Sequence, residues 1–355
     1  MRTNWFGLLF GLLAAVSLHA EGPPPLFPDE VRDLTPPDLD RPSPIAEPGD
    51  RPAIPGSLTP TVPDRPGFYF RGEYLLGRPR SDNQDFAIRN GRGGLAVTGP
   101  VESVRYDLGN GFATELGYRF GARGLDVDAT FAYAYFAASG STTLIADPGS
   151  VLFPTITRPG LTDRAQTAIA ETSLNLNLYD LQLARRFLID DRFAFRAFGG
   201  LRFAGIRQGF AAHYDGLDAR AAAVETNSRF DGFGPTLGGE AILAAHRGLH
   251  LYFRASGGLL VGDSHTTWVE TNDGGHSLYV NAPYDVRKTI PFGSLGIGLG
   301  WQYRTVSIRF GYDVTEYFGA TERIRLASDV AQGAITTRAT NIALDAFFVQ
   351  FALTF

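Results

Sequence analysis

Arginines and carboxylates recur at every second position along short apolar stretches of this chain. Arg71 and Glu73 alternate with Phe70, Tyr74 and Leu76. Glu115 and Arg119 alternate with Phe112, Leu116, Tyr118 and Phe120. Asp126 and Asp128 alternate with Leu125, Val127 and Ala129. Arg185, Arg196, Arg202, Glu240, Arg254, Arg309 and Asp313 are read in the same way. A spacing of two places such charges on one face of a β-strand and the apolar residues on the other. Fixed charges of both signs around a hydrated space can bias which ions pass. The same charges can instead pair across the space and fill it.

Covalent and metal chemistry has little to stand on. The chain holds no cysteine, which excludes a disulfide framework, a thiolate nucleophile and a Cys-ligated metal. Neither GxSxG nor HExxH occurs. His213, His246, His250, His265 and His276 are scattered. His265 and His276 share a stretch with Glu270 and Asp273, types that can hold a metal or move a proton. Set among polar residues, they read as a surface loop. Gly293, Gly296, Gly298 and Gly300 alternate with apolar residues and precede no helix, so they make no phosphate loop. The expectation is a non-enzyme with no catalytic residue, metal or cofactor. A net charge of −5 gives no support for nucleic-acid binding.

The elements that must position the charges follow from the same alternation. Residues 1–20 join Arg2, an apolar core from Trp5 to Val16 and a small residue, Ala20: the pattern of a secretory signal cut after Ala20. Residues 21–66 hold 14 of the 22 prolines and read as an extended periplasmic linker. From 67 to 355 the sequence reads as strands at 68–77, 111–120, 125–137, 172–187, 192–206, 230–243, 249–261, 292–303, 305–318 and 342–355. Within 172–187 the apolar phase moves from Leu174, Leu176 and Leu178 to Leu181 and Leu183, which predicts a β-bulge.

Short turns join these strands near 121–124, 188–191, 244–248 and 304–305. Long connections fill 78–110, 138–171, 207–229, 262–291 and 319–341, with room for an extra hairpin near 95–106. Short and long alternate throughout, as between the two sides of an outer membrane. The fold expected is all-β: a transmembrane antiparallel up-and-down β-barrel of about ten strands (range 8–12), with both termini in the periplasm. Aromatics near strand ends suit interfacial belts, with Phe120, Phe187, Phe193 and Tyr303 at the short turns and Tyr135, Phe203, Phe230 and Phe318 at the long loops.

Four segments carry a resemblance: FYFRGEYLLG at 68–77, LQLARRFLIDDRFAFRAFGGLRFAGIRQ at 181–208, FGPTLGG at 233–239 and LGWQYRTVSIRF at 299–310. They resemble the Legionella-type pore-forming outer-membrane proteins, a family expanded in planctomycete-like bacteria. The resemblance spans 68–355 and leaves the linker outside. It implies a pore-forming barrel and carries no catalytic residues. The terminal Phe355, with apolar residues at alternate positions before it, resembles the signal that such proteins present to the barrel-assembly machinery.

The functional expectation is an outer-membrane barrel forming a narrow pore for passive diffusion of ions or small solutes. The inward glycines of 294–302 favour that reading by leaving room at the axis. The alternative is a closed structural or adhesive barrel that binds through its external loops. The partners expected are the bilayer, the assembly machinery, solutes or ions, and a second copy of the chain in a homo-oligomer.

Overall fold

The computed structural model describes residues 66–82, 84–90, 97–122, 125–190, 192–245, 248–326 and 335–355. The secretory segment and the linker, except Pro66, lie outside them. The described residues form thirteen strands: β1 (Gly67–Ser81), β2 (Asp85–Asn90), β3 (Val101–Ser103), β4 (Gly109–Ala122), β5 (Leu125–Ile145), β6 (Val151–Pro154), β7 (Thr167–Leu188), β8 (Phe193–Gly216), β9 (Ala219–Ala244), β10 (Leu249–Asn272), β11 (Ser277–Tyr303), β12 (Val306–Leu326) and β13 (Ile335–Thr354). Ten close into one antiparallel barrel in the order β1-β13-β12-β11-β10-β9-β8-β7-β5-β4, and β3-β2-β6 form a separate small sheet. All ten expected strands are in the barrel. The first and last pair along Tyr69↔Thr354 to Ser81↔Ile342, which leaves no free edge.

The strands are much longer than the segments read from sequence. β8 has 24 residues and β11 has 27, whereas spanning a bilayer takes roughly 9–11. The stretches 207–229 and 262–291, expected as loops, are hairpins that continue the wall. They turn sharply at Gly216-Leu217 and Asp273-Gly274-Gly275, where φ is positive. The wall therefore has a belt next to the short turns and a long extension beyond it.

Alternation persists along the extension, but its sense inverts. In the belt, Phe131, Leu181, Leu201 and Leu237 are exposed on the outside. In the extension, Ile206, Ala212, Tyr214, Leu260 and Trp268 are buried inside, while Arg207, His213 and Asp215 face out. Hydrocarbon surrounds a belt of this kind, so oily side chains point outward there. Water surrounds the extension, so they turn inward.

Three expectations are corrected, two of them by that inversion and that for Arg185 by strand parity alone. β7 has no bulge: its register is continuous from Thr167 to Arg185 against β5 and from Thr167 to Leu188 against β8. Leu174 and Leu176 are buried in the interior and Leu178 packs against them, while Leu181 and Leu183 face outward. The apolar phase changes because the oily environment changes sides. Arg185 shares the outward parity and lies over the Phe187 ring, 5.0 Å from its centroid. Arg186 is the inward residue. Phe230, expected in a belt, is fully buried inside.

Candidate functional site: the barrel interior

The interior is stacked in layers. Nearest the short turns lies a charged layer built from the belt's inward positions. Arg196 binds Asp128 through two bonds, 3.2 and 2.8 Å. Arg202 binds Asp180 through two, both 2.7 Å. Arg71 meets Glu115 at 3.1 Å, and Arg309 meets Glu240 at 2.7 Å. Arg119 and Arg186 share Asp126, at 3.4 and 4.0 Å. Gln350 donates to Glu73 at 2.8 Å. Arg254 lies over Phe198, and its charge acts on Glu73 and Asp313. Of the thirteen charges read as inward from sequence, twelve lie on the interior face, and Arg185 lies on the outer one. Asp180 and Arg186 were missed, although their even parity within β7 marked them. With these two, inward arginines and carboxylates of the described belt are equal in number, so the layer has no formal charge bias.

The inward glycines do not leave an open axis. Asp313 occupies the space at Gly296, and a Cβ there would collide with its carboxylate. Tyr252 fills the place beside Gly298, and His250 with Arg309 fills that beside Gly300. Small residues on β11 admit large ones from β10 and β12, the interlocking by which narrow barrels fill themselves. What remains is a cavity of about 160 Å³ lined by Arg71, Glu73, Glu115, Asp180, Arg202, Arg254, Asp313 and Gln350.

Above it comes an apolar layer: Phe136, Leu174, Leu176, Ile206, Phe230, Leu260, Ile290, Phe292, Tyr317 and Ile342, joined by Tyr106 from the segment before β4. Strands β5 and β7–β13 all contribute, so the layer crosses the lumen. Arg202 stands at its lower face, 4.5 Å from the Phe292 centroid. A thin polar layer follows, with Gln84 donating to Thr172 (3.0 Å), Gln208 to Tyr106 (2.8 Å) and Thr266 to Ser228 (3.2 Å).

The second apolar layer closes the far end. Strands β2, β3 and β6 fold into a cap, and Phe86, Ala87, Leu152 and Ile156 from it pack against Ala168, Ala170, Ala212, Tyr214, Trp268 and Ile324 of the wall. Of the hairpin expected near 95–106, the described residues show one strand, β3, which pairs antiparallel with β2 from outside that range. Tyr214 donates to the Phe86 carbonyl at 2.6 Å and Arg323 to that of Asp85 at 2.8 Å. The Arg158 N–H donates to Glu270 Oε2 at 2.8 Å, while Glu270 Oε1 has no hydrogen-bond partner.

Burial pushes the Glu270 carboxyl up to about 7, against the weaker opposing pull of the Arg158 N–H and side chain. The raised value means that the docked cap binds the proton more tightly than the released one. Its contribution to docking is full below the ordinary carboxylate range and is lost as pH rises through about 7. Proteolysis of the cap should accelerate across that interval in the wild type. Glu270→Gln should hold a slow, flat profile from about pH 5 to 8. An unchanged rise in the variant would remove Glu270 as the cause.

No group of three or more metal-ligating side chains occurs among the described residues. His265 and Glu270 point to opposite sides of the wall: His265 meets Asp285 on the outside and Glu270 is inside. The structure therefore separates two members of the set weighed from sequence. Phe355 ends the chain exposed, and its N–H donates to the Phe68 carbonyl at 2.9 Å.

A family model described as the Legionella pneumophila major outer membrane protein precursor matches residues 61–355. No curated protein matches. Solved structures similar to the chain include the outer membrane protease OmpT of Escherichia coli, at 11% identity and TM-score 0.44, with coverage of 84% of this chain and 98% of that one. A major outer membrane protein of Thermus thermophilus is 12% identical with TM-score 0.35, covering 81% and 99%. The Pseudomonas putida toluene transporter TodX is 9% identical with TM-score 0.31, covering 84% and 91%.

Proposed function

The chain belongs to the family of the Legionella pneumophila major outer membrane protein, and we propose that it serves as a closed, non-enzymatic outer-membrane barrel whose extended wall and cap form a rigid external surface. The observation that carries this reading is the pair of apolar layers across the lumen. An ion crossing them would leave water twice with no compensating charge, a step costing many kcal/mol. The belt charges, most of them paired and all of them balanced in number, act as filling rather than as a selectivity filter.

Planar-bilayer recording of the purified, folded protein near pH 6 tests it. Silence is expected. Discrete conductance steps from the intact wild type would replace this reading with the pore.

One observation favours a second reading, a channel opened by movement of the cap. The polar cavity beneath the lower layer is hydrated space that a purely structural barrel does not need. Steps that arise only above about pH 7, and vanish in Glu270→Gln, would support it.

A further inference from the structure

The outer face of the wall carries a second cluster, just where belt gives way to extension. The residues Tyr133, Tyr179, Phe203 and Phe233 lie in one cross-strand row over β5, β7, β8 and β9. Tyr133 and Tyr179 touch at 4.9 Å between centroids, and Phe203 stacks on Phe233 at 5.7 Å. Such a row marks the boundary between hydrocarbon and headgroups. Two rows further from the short turns, Arg207 of β8 lies directly opposite Arg229 of β9, and Arg229 is opposite His265 of β10.

Arg207 and Arg229 are both exposed on the same face. Like charges directly opposite across strands repel. Asp231 engages Arg229 through Nε, and Asp285 engages His265. Asp231 offsets this repulsion from the Arg229 side, and Arg207 is left without an ion-pair partner of its own among the described residues.

The row between the aromatics and the arginines provides room. Gly205 leaves a hollow of about 540 Å³ walled by Asn177, Arg207 and Asp231 above and by Tyr179, Phe203 and Phe233 below. A side chain at Gly205 would project into it, 3.3 Å from Asp231 Oδ1. Asn177 accepts from the Tyr133 hydroxyl through Oδ1, so its amide N–H groups are left for another acceptor. The hollow is oily on its membrane side, and on its water side it carries the donors of Arg207 and Asn177 beside the Asp231 carboxylate, which is engaged by Arg229.

We propose that this notch binds the phosphate-bearing headgroup of a lipid in the outer leaflet, with the phosphate between Arg207 and Arg229 and the lipid body against Phe203 and Phe233. The assignment rests on the extended end lying outside the cell, as in other outer-membrane barrels. A phosphate accepts bidentate bonds from guanidinium, and a headgroup is the anion that a bilayer brings to this height.

Thermal unfolding of the full-length protein in neutral detergent tests the site, with an added phosphorylated glycolipid, an uncharged lipid of equal chain length, or inorganic phosphate alone. The phosphorylated lipid should raise the midpoint by roughly 5 °C at saturation, and the uncharged lipid and free phosphate by much less. Arg207→Glu should abolish the rise while leaving the lipid-free midpoint unchanged or higher, because the new carboxylate would sit opposite Arg229. Gly205→Leu should abolish it by filling the hollow. An equal rise with uncharged lipid, or an undiminished one in both variants, overturns the proposal. A full rise with inorganic phosphate alone overturns the lipid as the ligand.

Discussion

Replacing Glu240 by alanine should destabilise the barrel by about 3–5 kcal/mol, the range for removing one partner of a buried ion pair. Glu240 is almost completely buried, receives Arg309 at 2.7 Å and lies within the fields of Arg71, Arg196 and Arg254. Without it, several guanidinium groups face one another in a space with little water. Heat-modifiable gel migration reads the effect: the variant should convert to the unfolded form well below the wild-type temperature. The double change Glu240→Leu with Arg309→Met should recover most of the loss, since buried ion pairs are often replaceable by apolar side chains. The control is Asp345→Ala, which breaks a pair with the exposed Arg80 at 2.7 Å and should cost under about 1 kcal/mol. If the two single variants melt alike, the charged layer is not holding the barrel together.

Phe86→Asp should release the cap while leaving the barrel closed. Phe86 is fully buried between cap and wall, and an unpaired carboxylate there costs about 4 kcal/mol or more. The barrel's ladders do not depend on that contact. External protease should therefore cut within 97–108 and 146–166 in the variant and spare them in the wild type, with heat-modifiability unchanged. Conductance should remain nil, because the lower apolar layer is intact. Only the further changes Leu260→Ser and Phe292→Ser, which wet that layer, should admit ions. Conductance from Phe86→Asp alone would make the cap the sole barrier and return the lower layer to a passive lining.

Several features of the fold were legible because they depend on one neighbour, the bilayer. A strand in hydrocarbon must alternate, so Phe131 against Asp128, or Phe253 against Arg254, announces both the strand and the side it shows to lipid. Ten such stretches, and the alternation of short and long connections, pointed to a barrel of about ten strands and to the face that carries its inward charges, Arg185 excepted. The resemblance of 68–355 to a known family pointed the same way.

The extension and the filled interior were decided only in three dimensions. Beyond the aromatic row the oily side of the wall is defined by other parts of the same chain: Leu174 is inward because Ile206 of the neighbouring strand and Phe230 and Leu260 of strands further round the barrel meet it there. Its sequence neighbourhood reports only that the phase changes, which a bulge would also produce. Likewise Gly296 reads as empty space until Asp313 from the next strand enters it. Alternation records which residues share a face, a property of the strand alone. Whether that face meets lipid, water or a packed core depends on partners the local sequence does not contain.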